Sequence, residues 1–215
     1  MRLVECRVNQ DIGVSRIENY FCWNRITQQN IEIEEAQDLI ELEDVKLIIN
    51  QIVDNIVNSN ESIKLQRMVR VIATNLASKY PKYNLDSKYI DNIIVTAPLY
   101  NIGAIAMKDN EVITTASIKK SIDNGLIIMN NYLEDEYAKN VASNIINYSC
   151  EFYNGTGYPN GLKGDIIPIE AQIVSLVVRL GQYSAVKTLQ SSIKTIVDKD
   201  QMKYNPELIE VLIES

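Results

Sequence analysis

The residues best able to do chemistry in this chain crowd into one stretch, EFYNGTGYPNGLKGDIIP, residues 151–168. It contains Gly155, Gly157, Gly161 and Gly164, four of the eight glycines, so a specified backbone is expected there and not a mere spacer. Tyr158-Pro159 fixes an extended corner, because a proline restricts the residue before it. Such a loop can offer backbone N–H groups, the Tyr158 ring and the Lys163 ammonium to an anionic or planar ligand. The plainer reading is a rigid turn between two helices whose tyrosine packs on the body, and physical chemistry alone favours it.

Other reactive types are scattered. Cys150 stands just before the loop, but a nucleophilic cysteine needs a base or a positive neighbourhood. The chain has no histidine to act as that base, so a half-buried, inert thiol is expected. Glu151, Asp123 and Asp165 are the carboxylates one would recruit for Mg²⁺ or Ca²⁺. Their spacing is irregular and no EF-hand pattern accompanies them, which points to solvated surface charge. Lys64, Arg67 and Arg70 follow i, i+3, i+6 spacing and make a basic stripe on one helix. It could grip phosphate, although such stripes are commonly solvated or paired.

The elements that must position these residues are mostly helical. EEAQDLIELEDVKLIINQIVDNIV and SIKLQRMVRVIATNLASKY carry apolar residues at helical spacing. Asp86 is the expected cap of SKYIDNIIVTAPLY, and Thr115 that of TASIKKSIDNGLIIMNNYL, where Gly125 is a mild interior defect. EDEYAKNVASNIINYSCEF is acidic in its first turn, as the helix dipole prefers. Pro168 fits the first turn of IEAQIVSLVVRL, and Asn205-Pro206 opens the last helix. The first thirty residues differ. RLVECRV alternates like a short strand and GVSRIENYFCWNRI supplies a second, so a small N-terminal β-containing appendage is expected. Tyr20 and Trp23 in it either pin the appendage to the helices or anchor an interface, including one between two copies of the chain.

Composition narrows the function. With 215 residues and 46% hydrophobic types, the chain can bury the core of one large domain. A net charge of -7 argues against a nucleic-acid or anionic-membrane surface. Cys6, Cys22 and Cys150 are odd in number and far apart, which suits free thiols in a reducing cytoplasm. No apolar run reaches the ~18 residues of a membrane span.

One motif is more specific than these. NGTGYPNGLKGDIIPIEAQIV resembles the signature loop of the HD-GYP family, the bacterial cyclic-di-GMP phosphodiesterases. The match includes Gly155, Gly157, Tyr158, Pro159, Gly161, Leu162, Lys163, Gly164, Pro168, Ala171 and Ile173. LYNIGAIAM resembles the stretch around the family's HD dipeptide, YNPELIEVL its closing helix and RMVRVIATNLA its first core helix. The resemblance implies an all-α, HD-domain-like helical bundle over residues 45–215, preceded by a small segment over 1–44. It also implies a site of two or three irons held by histidines and aspartates, with the nucleotide against the loop.

Carried over residue by residue, the resemblance departs from the family at the metal ligands. Those positions fall on Lys64, Tyr100, Asn101, Ile122, Ser149, Cys150 and Val178. The basic segment that helps hold phosphate has no counterpart in LGQYSAVKTLQSS. Iron or manganese wants neutral imidazoles and carboxylates, and Ile122 and Val178 offer no lone pair. The expectation is therefore a pseudoenzyme, without cofactor and not an enzyme, that regulates by binding another protein. The alternative is a sensor that binds cyclic-di-GMP or a related dinucleotide through Gly157, Tyr158, Pro159 and Lys163 without cleaving it. A hydrolase with a rebuilt site comes last.

Overall fold

A computed structural model describes residues 42–107 and 114–215. The strands and the aromatic cluster expected in the first thirty residues lie outside the described residues. Within the described residues every regular element is helical and no strand occurs, as the all-α expectation requires.

Among the described residues eight α-helices follow one another: α1 Leu42–Val57, α2 Asn60–Lys79, α3 Ser87–Thr96, α4 Thr115–Tyr132, α5 Glu136–Tyr148, α6 Ile169–Ser184, α7 Leu189–Thr195 and α8 Pro206–Glu214. Their starts are chemically marked. Asp86 accepts from the Tyr89 N–H at 2.7 Å, Asp135 from Ala138 at 2.8 Å, and Asn205 from Glu207 at 2.9 Å with Pro206 as first helical residue. Pro168 stands one place earlier than expected, at the cap of α6.

Three expectations need correction. Thr114, not Thr115, caps α4: its hydroxyl takes the Ser117 N–H at 3.1 Å while Ser117 Oγ takes the Thr114 N–H at 2.7 Å. This reciprocal pair satisfies two end groups at once, which Thr115 cannot do from inside the helix. Second, SKYIDNIIVTAPLY is not one helix. α3 stops at Thr96, next to Ala97-Pro98, and the chain continues in tight 3₁₀ turns over Ala97–Ala106. Asn101 breaks even these, at φ −134° and ψ 29°. Third, residues 185–205, to which the sequence reading assigns no element, hold α7, one wide π turn over Ile196–Asp200 and a 3₁₀ turn over Gln201–Lys203.

α6 runs through the middle of the bundle. Every residue from Glu170 to Leu180 is buried, so the helix is enclosed on all sides. Around it pack Val69, Ile72, Ala73 and Leu76 of α2, Ile93 of α3, Ala142 and Ile145 of α5, and Leu208, Val211 and Leu212 of α8. Two charged side chains are buried with it, and both are partnered. Glu170 accepts from the Tyr89 hydroxyl and the Asn144 amide, each at 2.7 Å, tying α3 and α5 to the start of α6. Arg179 Nε meets Asp200 Oδ2 at 3.0 Å.

The end of α2 is joined to α8 by a row of exposed polar contacts. Lys79 Nζ reaches Glu210 at 2.7 Å and Glu214 at 2.6 Å, and Tyr80 donates to Glu210. Lys82 and the Tyr83 hydroxyl share Glu207 at 2.7 and 2.5 Å. Exposed pairs of this kind contribute little singly. Here they border a face on which Leu208 and Leu212 are already buried. No helix among the described residues is long and apolar enough to cross a membrane.

Candidate functional site

Two features meet at Cys150: a small cavity behind it and the glycine loop in front. The cavity, of about 20 Å³, is lined by Tyr100, Asn101, Gly103, Ser121, Ile122, Ile146 and Cys150. It exists because the 97–106 turns lie directly on α4. A Cβ on Gly103 would stand 1.8 Å from the Ser121 carbonyl oxygen, so only glycine allows this approach. Gly125 is buried against the same turns, where a Cβ would lie 3.3 Å from the Gly103 nitrogen. The residue expected to be a mere helix defect is thus a packing residue.

The cavity's polar lining is sparse. The Asn101 amide nitrogen is buried without a hydrogen-bond partner. Burial, and then the neighbouring Glu151 charge, push the Cys150 thiol up to about 11. An inert thiol follows, as expected, because the thiolate is the nucleophile and the metal ligand.

In front of the cavity the loop closes on itself. The Tyr158 N–H donates to the Cys150 carbonyl at 2.9 Å. Gly157 lies so close under the chain that a Cβ there would be 2.1 Å from the Phe152 nitrogen. Tyr158-Pro159 is cis. Glu151, expected on the surface, is only 3% exposed: its Oε1 accepts the Asn160 N–H at 2.6 Å and its Oε2 the Leu162 N–H at 3.0 Å. This correction has a physical reason. A buried carboxylate needs donors, and the loop turns two of its own N–H groups inward to supply them. Tyr158 and Pro159 stay partly exposed and Lys163 is exposed on this braced frame.

Behind the loop lies a group of residues that the sequence reading did not single out. Asp200, 4% exposed, takes Arg179 on one oxygen and Lys203 on the other at 2.8 Å, and the Tyr183 hydroxyl donates to it at 2.8 Å. Burial alone would raise the Asp200 carboxyl, but Lys203, Tyr183 and Arg179 hold it below the ordinary carboxylate range. Lys203 also anchors the loop, since its carbonyl accepts the Tyr153 N–H at 2.8 Å and its ammonium lies 5.3 Å from the Phe152 ring centre. One signal for this cluster was available: a lone arginine inside the apolar run of α6 has to find an anion.

Of the positions on which the resemblance places the family's metal ligands, Tyr100, Asn101, Ile122 and Cys150 come together around the cavity. Lys64 does not. It lies exposed on α2, as do Arg67 and Arg70, the latter 3.4 Å from Asp91. Val178 belongs to the core and Ser149 is buried next to Cys150. Gly103, Ser121 and Ile146 complete the lining. The donors present do not fit an iron or manganese centre: two isoleucines, a hydroxyl, a phenol, an amide and a protonated thiol face the space where imidazoles and carboxylates would be needed. Among the described residues no three His, Cys, Asp or Glu side chains approach closely enough to hold a metal ion. No step through a metal follows from this geometry.

Residues 51–208 match the HD domain family, a span that includes the cavity, the loop and α6. The chain belongs to the HD-domain family. Three relatives, all from Vibrio cholerae, are similar to this chain. It is 32% identical to a protein named probable cyclic di-GMP phosphodiesterase over 133 residues, 54% of this chain and 30% of that one. It is 27% identical to 3'3'-cGAMP-specific phosphodiesterase 2 over 146 residues, 61% of this chain and 28% of that one. It is 24% identical to a cyclic di-GMP phosphodiesterase over 127 residues, 53% of this chain and 26% of that one. The chain thus matches less than a third of the length of these curated relatives. They correct one expectation from the sequence, that the protein is not an enzyme. The HD domain is homologous to named phosphodiesterases, and loss of activity does not follow from its departures at individual positions.

Proposed function

We propose that this HD domain recognises a cyclic dinucleotide with the loop around Gly157, Tyr158, Pro159 and Lys163, and serves bacterial regulation through that binding. The observation that carries the reading is the Glu151 clamp. By holding the Asn160 and Leu162 N–H groups it braces the backbone between Tyr158 and Lys163 before any ligand arrives. A preformed loop loses little freedom on binding. A base stacks on the Tyr158 ring and a phosphate meets Lys163. The names of the relatives supply the ligand class, cyclic-di-GMP or 3'3'-cGAMP.

Calorimetric titration with each of these nucleotides tests the proposal. Tyr158→Ala and Lys163→Ala are each expected to weaken binding by about tenfold, which corresponds to ~1.4 kcal/mol. Absence of heat at high micromolar protein overturns it.

A second reading, a docking surface for another protein, draws support from two side chains at the base of the loop. Ile166 and Met202 are 73% and 72% exposed. Each is next in sequence to a residue that bonds Tyr153, Asp165 through its carboxylate and Lys203 through its carbonyl. Ile166→Glu with Met202→Glu would then abolish a partner interaction or self-association measured by light scattering, while nucleotide heat stays unchanged.

A further inference from the structure

The space under the loop holds a second, smaller void of about 10 Å³, between α6 and the start of α8. Its polar neighbours are mostly accounted for. Gln172 gives its amide N–H to the Ile167 carbonyl at 2.6 Å and accepts from Asn205 at 3.1 Å. Glu151 holds the loop N–H groups, and Lys203 is bound to Asp200. Two hydroxyls that line the same void remain: Ser175 Oγ and Tyr204 Oη, each on a residue only 4% exposed and each without a hydrogen-bond partner.

Two orphaned hydroxyls on the lining of one small void can be satisfied by a shared partner. Buried polar groups are almost always satisfied, and a void of roughly 10–15 Å³ is the least that one water molecule needs. A larger anion does not fit this space. We infer that a single ordered water binds here, accepting from the Tyr204 hydroxyl and donating to Ser175 Oγ, with the Glu151 carboxylate on the wall of the same void. The water joins three pieces of chain that otherwise touch only in part: α6 through Ser175, the segment before α8 through Tyr204, and the loop through Glu151. It is therefore part of the frame that holds the loop in place. The site is independent of which ligand, if any, the loop takes.

The sign of a stability change separates this inference from its opposite. Removing a hydroxyl that a water satisfies costs stability, whereas removing one that has no partner restores it. In the full chain, Tyr204→Phe and Ser175→Ala are each expected to lower the thermal midpoint by about 2–4 °C. The double variant should fall by less than the sum, because both single changes act on the same water. A high-resolution crystal structure should show density within hydrogen-bond distance of both oxygens. An unchanged or raised midpoint in Tyr204→Phe, or a map with no density between the two hydroxyls, overturns the site.

Discussion

In the loop both oxygens of Glu151 are used, one on the Asn160 N–H and one on the Leu162 N–H. One residue back, around the cavity that Cys150 lines, the Asn101 amide nitrogen has no partner, and two of the walls are Ile122 and Ile146. The loop is held by polar bonds that fix its direction. The cavity is held by shape, with the Gly103 backbone against the Ser121 carbonyl.

Substitutions can break that contrast. The largest effect is expected from Gly103→Ala. The new methyl has only backbone to displace, and α4 must move off the 97–106 turns. A loss of about 3 kcal/mol or more is expected, read as a fall of the urea midpoint. Next comes Glu151→Ala, which leaves two loop N–H groups without acceptors and should cost about 2–3 kcal/mol. Amide exchange at Asn160 and Leu162 should accelerate along with it, while exchange in α6 keeps its order relative to the rest of the core. If those two amides keep their protection, the clamp is not what holds the loop. The smallest effect is expected from Asn101→Leu, which removes a donor that no protein group accepts. Stability should stay within about 1 kcal/mol of the parent, measured by thermal melting. A larger loss would mean that the cavity wall, like the loop, depends on a polar bond.

Those three positions also show what a sequence can reveal. Asp86, Asn205 and Pro206 were legible because a cap and its helix are neighbours in the chain. Thr114, which the sequence did not single out, caps through Ser117, a residue three places on that completes the reciprocal pair in place of the usual glutamate or glutamine. The end of α3 was marked by Pro98 but masked by the apolar run that continues past it. Glu151 was misread because its donors sit nine and eleven residues away, inside a loop whose path no periodicity predicts. Arg179 and Asp200 are 21 residues apart, with a π turn bringing them together. Gly103 and Gly125 matter only because another backbone arrives beside them, and nothing local announces that. The loop stood out in the sequence, and the HD domain was legible with it. The cavity was legible only as a set of positions, of which Lys64, Ser149 and Val178 do not line it.

The row of contacts between the end of α2 and α8 bears on the order in which the domain is made. Lys79 and Glu214 are 135 residues apart, and α2 rests on Leu208 and Leu212 for part of its buried face. During synthesis the ribosome emits α2 long before residues 206–214, so its apolar side waits uncovered until the rest of the bundle has emerged. Closure of such a distant pair is slow compared with helix formation. The acidic residues Glu207, Glu210 and Glu214 then meet Lys79 and Lys82 as α8 arrives. Their charge favours the right approach of a helix whose hydrophobic face alone would accept many.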